Sequence, residues 1–305
     1  MDDSSLLAKP VVIVGSARSG TTILGELLQV HSTLFGIVEP RFTWRYGNDH
    51  KSDMLRGSDA TEEIVAYIRR QFARQVRESG RIRLLEKTPS NALRLEFVDR
   101  VFPDSKIIHI IRNGIDSSLS IRSYWNQAAH GIKGVNPGKF RERLKELELR
   151  RIPNYAVEAV RRFAPKPLSS LVGSNVWGPR IPGIRGILQD LELLEVCALQ
   201  WRTCVEAACH WGASMPSDRY MQIKLEDLNL ESFRSILQFA ELNEEAEVID
   251  NFHRTIDPDR STGRRSKASD ADIEILAKWI RPTMEWLGYS MPATGKPPGD
   301  KLQAS

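Results

Sequence analysis

The stretch Val11-Val12-Ile13-Val14-Gly15-Ser16-Ala17-Arg18-Ser19-Gly20-Thr21-Thr22 decides the fold. Its first four residues are an unbroken β-branched run ending at glycine, as expected of a parallel strand buried on both faces. From Thr21 to Val30 the apolar residues Ile23, Leu24, Leu27 and Leu28 fall at helical spacing. The loop between therefore lies at a strand-to-helix junction. Backbone N–H groups and a helix N-terminus make such a junction an anion cradle.

The same alternation continues outward. Strands are expected near Phe35 to Val38, Arg81 to Leu85, Lys106 to Ile111 and Tyr220 to Leu225. Helices are expected over Thr61 to Glu78, from Pro89 to about Val101, and from about Ile115. Further helices should cover Leu191 to His210, Glu231 to Glu241, Ala246 to Arg254 and Asp270 to Leu287. Strands alternating with helices imply an α/β fold: a parallel sheet with helices on both faces. Between Asn126 and Asp190 the pattern weakens. Basic helices are expected around Lys139–Arg150 and Tyr155–Arg162, before a Gly- and Pro-rich stretch from Gly173 to Gly183. The expectation is a single domain over residues 1–305, with residues 126–190 as a helical and loop insertion and residues 292–305 as a disordered tail.

Bulk properties narrow the function class. The chain has 305 residues, 41% hydrophobic and 27% charged, enough to bury a core without staples. A net charge of +4 is too small to argue for nucleic acid but suits an anionic ligand in a basic cleft. Cys197, Cys204 and Cys209 lie in one helical stretch without a Cys-x-x-Cys pair, so neither a disulfide framework nor a metal site is expected. The acidic, polar start and the lack of a long apolar run give the expectation of a cytoplasmic protein with no membrane span.

Gly15-x4-Gly20 followed by Thr21-Thr22 has phosphate-loop spacing. A nucleotide kinase or GTPase would carry lysine where this chain has Thr21; here the loop's cation is Arg18. A second motif, Ile111-Arg112-Asn113-Gly114-Ile115-Asp116, follows the central strand, with Ser120 eight residues after Arg112. An arginine at a strand end and a serine one or two helical turns on can converge on one phosphate.

Together these motifs resemble the sulfotransferase superfamily, whose members use 3'-phosphoadenosine 5'-phosphosulfate (PAPS) and release PAP. The loop is similar to the Pro-Arg-Ser-Gly-Thr-Thr loop of Golgi-type and bacterial members, with Ala17 in place of proline. The resemblance implies a P-loop-type three-layer fold with about five strands and a helical acceptor-side insertion. It implies that Arg18, Ser19, Gly20, Thr21 and Thr22 bind the 5' end of PAPS, and that Arg112 and Ser120 bind its 3'-phosphate. Many members have Arg-Asp-Gly-Arg-Asp where this chain has Arg-Asn-Gly-Ile-Asp.

Sulfuryl transfer needs a base for the acceptor and positive charge for the departing phosphate. Glu39, after Phe35-Gly36-Ile37-Val38, occupies the position of the catalytic glutamate in tyrosylprotein and heparan-type sulfotransferases; the rival reading is a surface carboxylate paired with Arg41. Lys87, in Glu86-Lys87-Thr88-Pro89, matches the lysine that family members use near the bridging oxygen, with Arg18 beside it. Glu86 would orient Lys87 or serve as a second carboxylate. The resemblance also implies that Ser261, Arg265 and Lys267, in a loop before the last helix, close over PAPS. His109 reads as a packed core residue and His31 as a helix-end cap. Phe42, Trp44, Tyr46, Tyr124, Trp125 and the Trp177 stretch are candidates for an acceptor pocket, with core packing as the alternative for each. The acceptor, a small molecule, glycan or lipid, stays open. So do two rival readings: a P-loop kinase using ATP, and a protein that binds PAP or PAPS without chemistry.

Overall fold

Five β-strands and eleven α-helices are built from these patterns in the computed structural model, which describes residues 3–129, 177–256 and 268–292. The strands are β1 (Val11–Gly15), β2 (Leu34–Val38), β3 (Arg83–Lys87), β4 (Lys106–Ile111) and β5 (Tyr220–Lys224). The helices are α1 (Asp3–Leu6), α2 (Thr21–Leu28), α3 (Arg41–Trp44), α4 (Glu62–Ser79), α5 (Leu95–Val101), α6 (Gly114–Ala129), α7 (Ile184–Asp190), α8 (Leu193–Gly212), α9 (Leu230–Phe239), α10 (Ala246–Thr255) and α11 (Asp270–Trp286). The expected helices over 139–150 and 155–162, the residues Ser261, Arg265 and Lys267, and the tail beyond residue 292 lie outside the described residues. No described helix is long and apolar enough to cross a membrane.

The sheet is wholly parallel, in the order β2-β3-β1-β4-β5. Strand alternation sends Val12, Val14 and Leu84 into a core with α4, α5 and Trp44. Val11, Ile13 and Leu85 point the other way, onto Leu24, Leu27 and Leu28 of α2. The middle of the sheet is therefore apolar on both faces, as the sequence of β1 and β4 requires. A third cluster joins Ile115 and Leu119 of α6 to Trp201 of α8 and Ile280 and Met284 of α11.

Strand order fixes where a ligand belongs. From β1 the chain moves to β2 on one side; from β4 it moves to β5 on the other. The crevice between the carboxyl ends of β1 and β4 is thus the topological switch point, the usual binding crevice of open α/β sheets. The loops after Gly15 and Ile111 both open there.

Three local expectations are corrected. β3 starts at Arg83, not Arg81, because the Ser79–Gly80 turn uses two more residues: Arg81 N–H binds Ser79 Oγ, and the N–H groups of Ile82 and Arg83 both go to Thr33 O. The strand then runs on through Glu86 and Lys87. The helix expected from Pro89 is broken into a 3-10 turn (Pro89–Leu93) and α5, because Arg94 leaves helical geometry (φ −143°) as its side chain turns inward to Asn91. Finally, α6 continues past Asn126, and Ile184–Asp190 forms α7, so the weak-pattern segment is regular at both ends.

Candidate active site at the sheet switch point

The loop after β1 is shaped by two left-handed residues, Arg18 (φ 67°) and Gly20 (φ 102°). Glycine is required at position 15: a Cβ there would lie 2.5 Å from Ile110 O and 2.6 Å from Ser19 Oγ. Ser19 is fully buried and its hydroxyl donates to Ser16 O at 2.8 Å, closing the loop on itself. Helix α2 begins at Thr21, so its first N–H groups, without helical partners, open on the loop.

On one side of the loop stand the groups from β4 and α6. Arg18 Nε donates to Ser120 Oγ at 3.2 Å, and its guanidinium lies 5.5 Å from the Tyr124 ring centroid. Arg112 Nη1 reaches Arg18 O at 3.5 Å. Ser120 and Tyr124 share a face of α6, being four residues apart. The structure thus brings Arg18, Arg112 and Ser120 together. Arg18 was expected beside Lys87; its side chain instead turns to Ser120.

The arginine position is fixed by groups that sequence reading missed. Trp201 Nε1 donates to Arg112 O at 3.1 Å. Asn113 caps α6, its Oδ1 accepting from Ile115 N–H at 3.0 Å, and its own N–H goes to Glu226 Oε1 at 2.9 Å. Asn113 before a helix is a legible N-cap signal. Glu226 lies 113 residues away and gives no local signal.

On the other side of the loop stand the ends of β2 and β3. Lys87 Nζ donates to Thr22 Oγ1 and to Glu39 Oε1, both at 3.3 Å. Glu39 also accepts from Arg41 at 2.9 Å, so the expected surface pairing with Arg41 exists alongside the Lys87 contact. Lys87 is 5% exposed and Glu39 24%. Glu39 is held at φ 53°, an uncommon geometry for a non-glycine residue, and its N–H donates to Lys87 O at 2.9 Å. Burial would raise the Glu39 pKa, but the charges and hydrogen bonds of Arg41 and Lys87 outweigh it and pull it down to about 2.

Glu86 faces away from Lys87. It is fully buried, accepting from Trp44 Nε1 (2.9 Å), Asn91 Nδ2 (3.0 Å) and the Thr88 hydroxyl. Its hydrogen bonds do not go to Lys87, so the expected orienting contact is replaced by this network. Burial raises its pKa to about 7 against the hydrogen bonds of Thr88 and Trp44 and the charges of Arg94 and Lys87. The folded state therefore binds this proton more tightly than the unfolded chain, so stability falls as pH rises from the ordinary carboxylate range through about 7. Glu86→Gln is expected to gain stability relative to wild type between acid and mildly alkaline pH, by on the order of 3 kcal/mol. Denaturant unfolding across that range checks it; a pH-independent difference would refute it.

The aromatic candidates divide. Trp44 is fully buried among Phe72, Phe97 and Phe102, and belongs to the core. Tyr46 stacks on Tyr67 at 3.6 Å. Tyr124 and Trp177 pack against each other at 4.6 Å, on the Arg18 side of the cleft. His109 is a core residue bonded to Tyr220, its pKa lowered by burial to about 3. His31 is buried; its main-chain N–H donates to Leu28 O at the end of α2 and its ring pairs with Asn243 O.

A family model described as "Sulfotransferase family" matches residues 10–164, half of the chain and both walls of the loop. Sulfotransferase STF9 from Mycobacterium avium has a similar fold, with TM-score 0.51 at 13% identity over 95% of this chain and 79% of that one. A sulfotransferase domain from the curacin biosynthetic pathway superposes with TM-score 0.49 at 15% identity, over 94% of this chain and 99% of that domain. An uncharacterized protein of Aquifex aeolicus (strain VF5) is 24% identical over 139 residues; the match covers 41% of this chain and 18% of that protein's length.

Proposed function

The chain belongs to the sulfotransferase family, and from that premise we propose that it moves the sulfuryl group of PAPS to a hydroxyl or amine of an acceptor. The observation that carries the proposal is the pairing of two cationic clusters across one phosphate loop: Arg18, Arg112 and Ser120 on one side, Lys87 and Thr22 on the other. A nucleotide with anionic groups at both its 3' and 5' ends matches that division.

The donor chemistry fits such a nucleotide. The loop offers hydroxyls and N–H groups, and the neighbouring carboxylate of Glu39 is matched by Arg41 and Lys87. Near the Arg112 cluster, Asn113 Nδ2 and the hydroxyls of Ser117 and Ser118 are buried with no hydrogen-bond partner among the described residues, a reserve of polar groups at the start of α6. Arg18, Arg112 and Ser120 would hold the 3'-phosphate. Ser19, Gly20, Thr21 and Thr22 would hold the 5' end. PAPS supplies the activated sulfuryl group.

The residues of this chain then act in order. Lys87 turns from Glu39 toward the oxygen that bridges sulfur and phosphorus and neutralises charge growing there. That movement removes one of the cations depressing Glu39 and strengthens it as a base. Glu39 takes the acceptor's proton as the new bond to sulfur forms and the bond to the 5'-phosphate breaks. The products are a sulfated acceptor, PAP and protonated Glu39. The acceptor is proposed as a small molecule, glycan or lipid headgroup, admitted on the side of Glu39 and Val38, whose side chain is 51% exposed.

The test is a thermal-shift comparison. PAP without metal is expected to raise the melting temperature, by several degrees at a hundredfold excess over its Kd. Stabilisation by ATP with Mg²⁺ and none by PAP would replace the sulfotransferase with the P-loop kinase.

A further inference from the structure

We propose that Glu86 is a positioning residue: one buried carboxyl holds in register the two segments that leave the sheet at Glu39 and Lys87. The inference rests on the roles just proposed for those two residues.

Glu39 and Lys87 stand at the ends of different strands, Glu39 just past β2 and Lys87 as the last residue of β3. Past their shared hydrogen bond, Glu39 N–H to Lys87 O, the chain diverges. One branch runs through Pro40 into α3; the other runs through Thr88 into the 3-10 turn at Pro89. Alternation along β3 sends Glu86 to the face opposite Lys87, the face of Leu84 and Trp44. There its Oε1 accepts from Trp44, in α3, and from Thr88; its Oε2 accepts from Asn91, in the turn. The carboxyl thus bridges both branches within a few residues of both proposed catalytic groups. Glu39 needs such support, because a non-glycine residue at positive φ persists only where its surroundings over-determine it.

The network continues beyond Glu86. Asn91 Oδ1 accepts from Arg94 Nε at 2.8 Å, and Arg94 Nη1 lies 3.9 Å from Asp53. Asp53 accepts from Arg180 through both its main-chain N–H (2.9 Å) and Nε (3.2 Å). The buried groups Glu86, Asn91, Arg94 and Asp53 therefore link Lys87's strand to the half-buried Arg180. Burying a carboxyl beside Trp44 is costly, and an apolar side chain there would avoid that desolvation. An apolar side chain would leave the Trp44, Thr88 and Asn91 donors without acceptors. Glu86 is fully buried, so it acts through the loops and does not meet the acceptor.

Hydrogen exchange on the full chain tests this without any substrate. Glu86→Leu is expected to speed exchange about tenfold or more in both residues 39–45 and residues 88–94, whereas Glu86→Gln, which keeps an acceptor for Trp44 and Thr88, exchanges no faster than wild type. Turnover of Glu86→Leu should fall in kcat, with PAP affinity unchanged because the loop and Arg112 are untouched. Unchanged exchange in either segment overturns the proposal, as does a rise in Glu86→Gln equal to that in Glu86→Leu. If the leucine variant does not fold, Trp44→Phe removes one donor and should speed exchange in residues 39–45; no change there is equally fatal. Exchange is read with no donor or acceptor present. A failed staple is therefore distinguishable from a failed sulfotransferase reading, which PAP binding and transfer assays test separately.

Discussion

Replacing Lys87 with alanine is expected to lower sulfuryl-transfer turnover by roughly 10²–10³-fold, with PAP affinity changed far less. Lys87 sits between Thr22 and Glu39 with 5% exposure, so its ammonium acts in a site largely closed to water, where charge stabilisation counts most. Its stem runs past Gly25, where an added Cβ would lie 3.6 Å from Lys87 Cγ. Arginine, with its rigid planar fork, is not expected to rescue. Glu39→Gln should lose about 10²–10⁴-fold, the usual scale for a positioned base. The two losses should not add. Lys87 both stabilises the leaving group and depresses Glu39, so removing it relieves part of the depression. Steady-state kinetics of the two single variants and the double variant check this. Full additivity, or unchanged turnover in Glu39→Gln, would remove Glu39 as the base.

The second large effect concerns nucleotide choice. Arg112→Ala should weaken PAP by roughly 10–100-fold, the scale of a charge-assisted hydrogen bond to phosphate. Adenosine 5'-phosphosulfate, which lacks the 3'-phosphate, should lose little. The specificity follows from how rigidly Arg112 is mounted: Trp201 holds its carbonyl, and Glu226 holds the next N–H. Ser120→Ala should act in the same direction but more weakly, since a neutral donor contributes less than a guanidinium. Calorimetric titration with both nucleotides separates the outcomes. Equal losses for both would mean that Arg112 does not read the 3'-phosphate.

Much of this architecture is legible in the residues themselves. β1 and β4 announce themselves because continuous apolar runs admit few structures other than a doubly covered strand. The loop between Gly15 and Thr22 is legible because its glycines answer backbone needs, a close approach to Ile110 and a positive φ. What escapes is what through-space contact decides. Glu86 and Lys87 look alike as polar residues after an apolar run; only the pleat sends one into the core and the other to the cleft. Trp44 reads equally as a pocket or a core aromatic until Phe72 and Phe102 close around it. Arg18 belongs to the loop by sequence, yet its side chain is placed by Ser120, 102 residues on. Pro89 opens a turn rather than a long helix, because Arg94 is drawn inward by Asn91.

The most direct measurement is transfer of label from radiolabelled PAPS to a panel of hydroxyl- and amine-bearing small molecules, glycans and lipid headgroups, with the wild-type protein and Glu39→Gln side by side. The account predicts labelled acceptor with the wild type, and loss of that transfer in a variant that still binds PAP. A wild-type protein that binds PAP yet labels no acceptor would contradict it, leaving a nucleotide-binding protein in place of an enzyme.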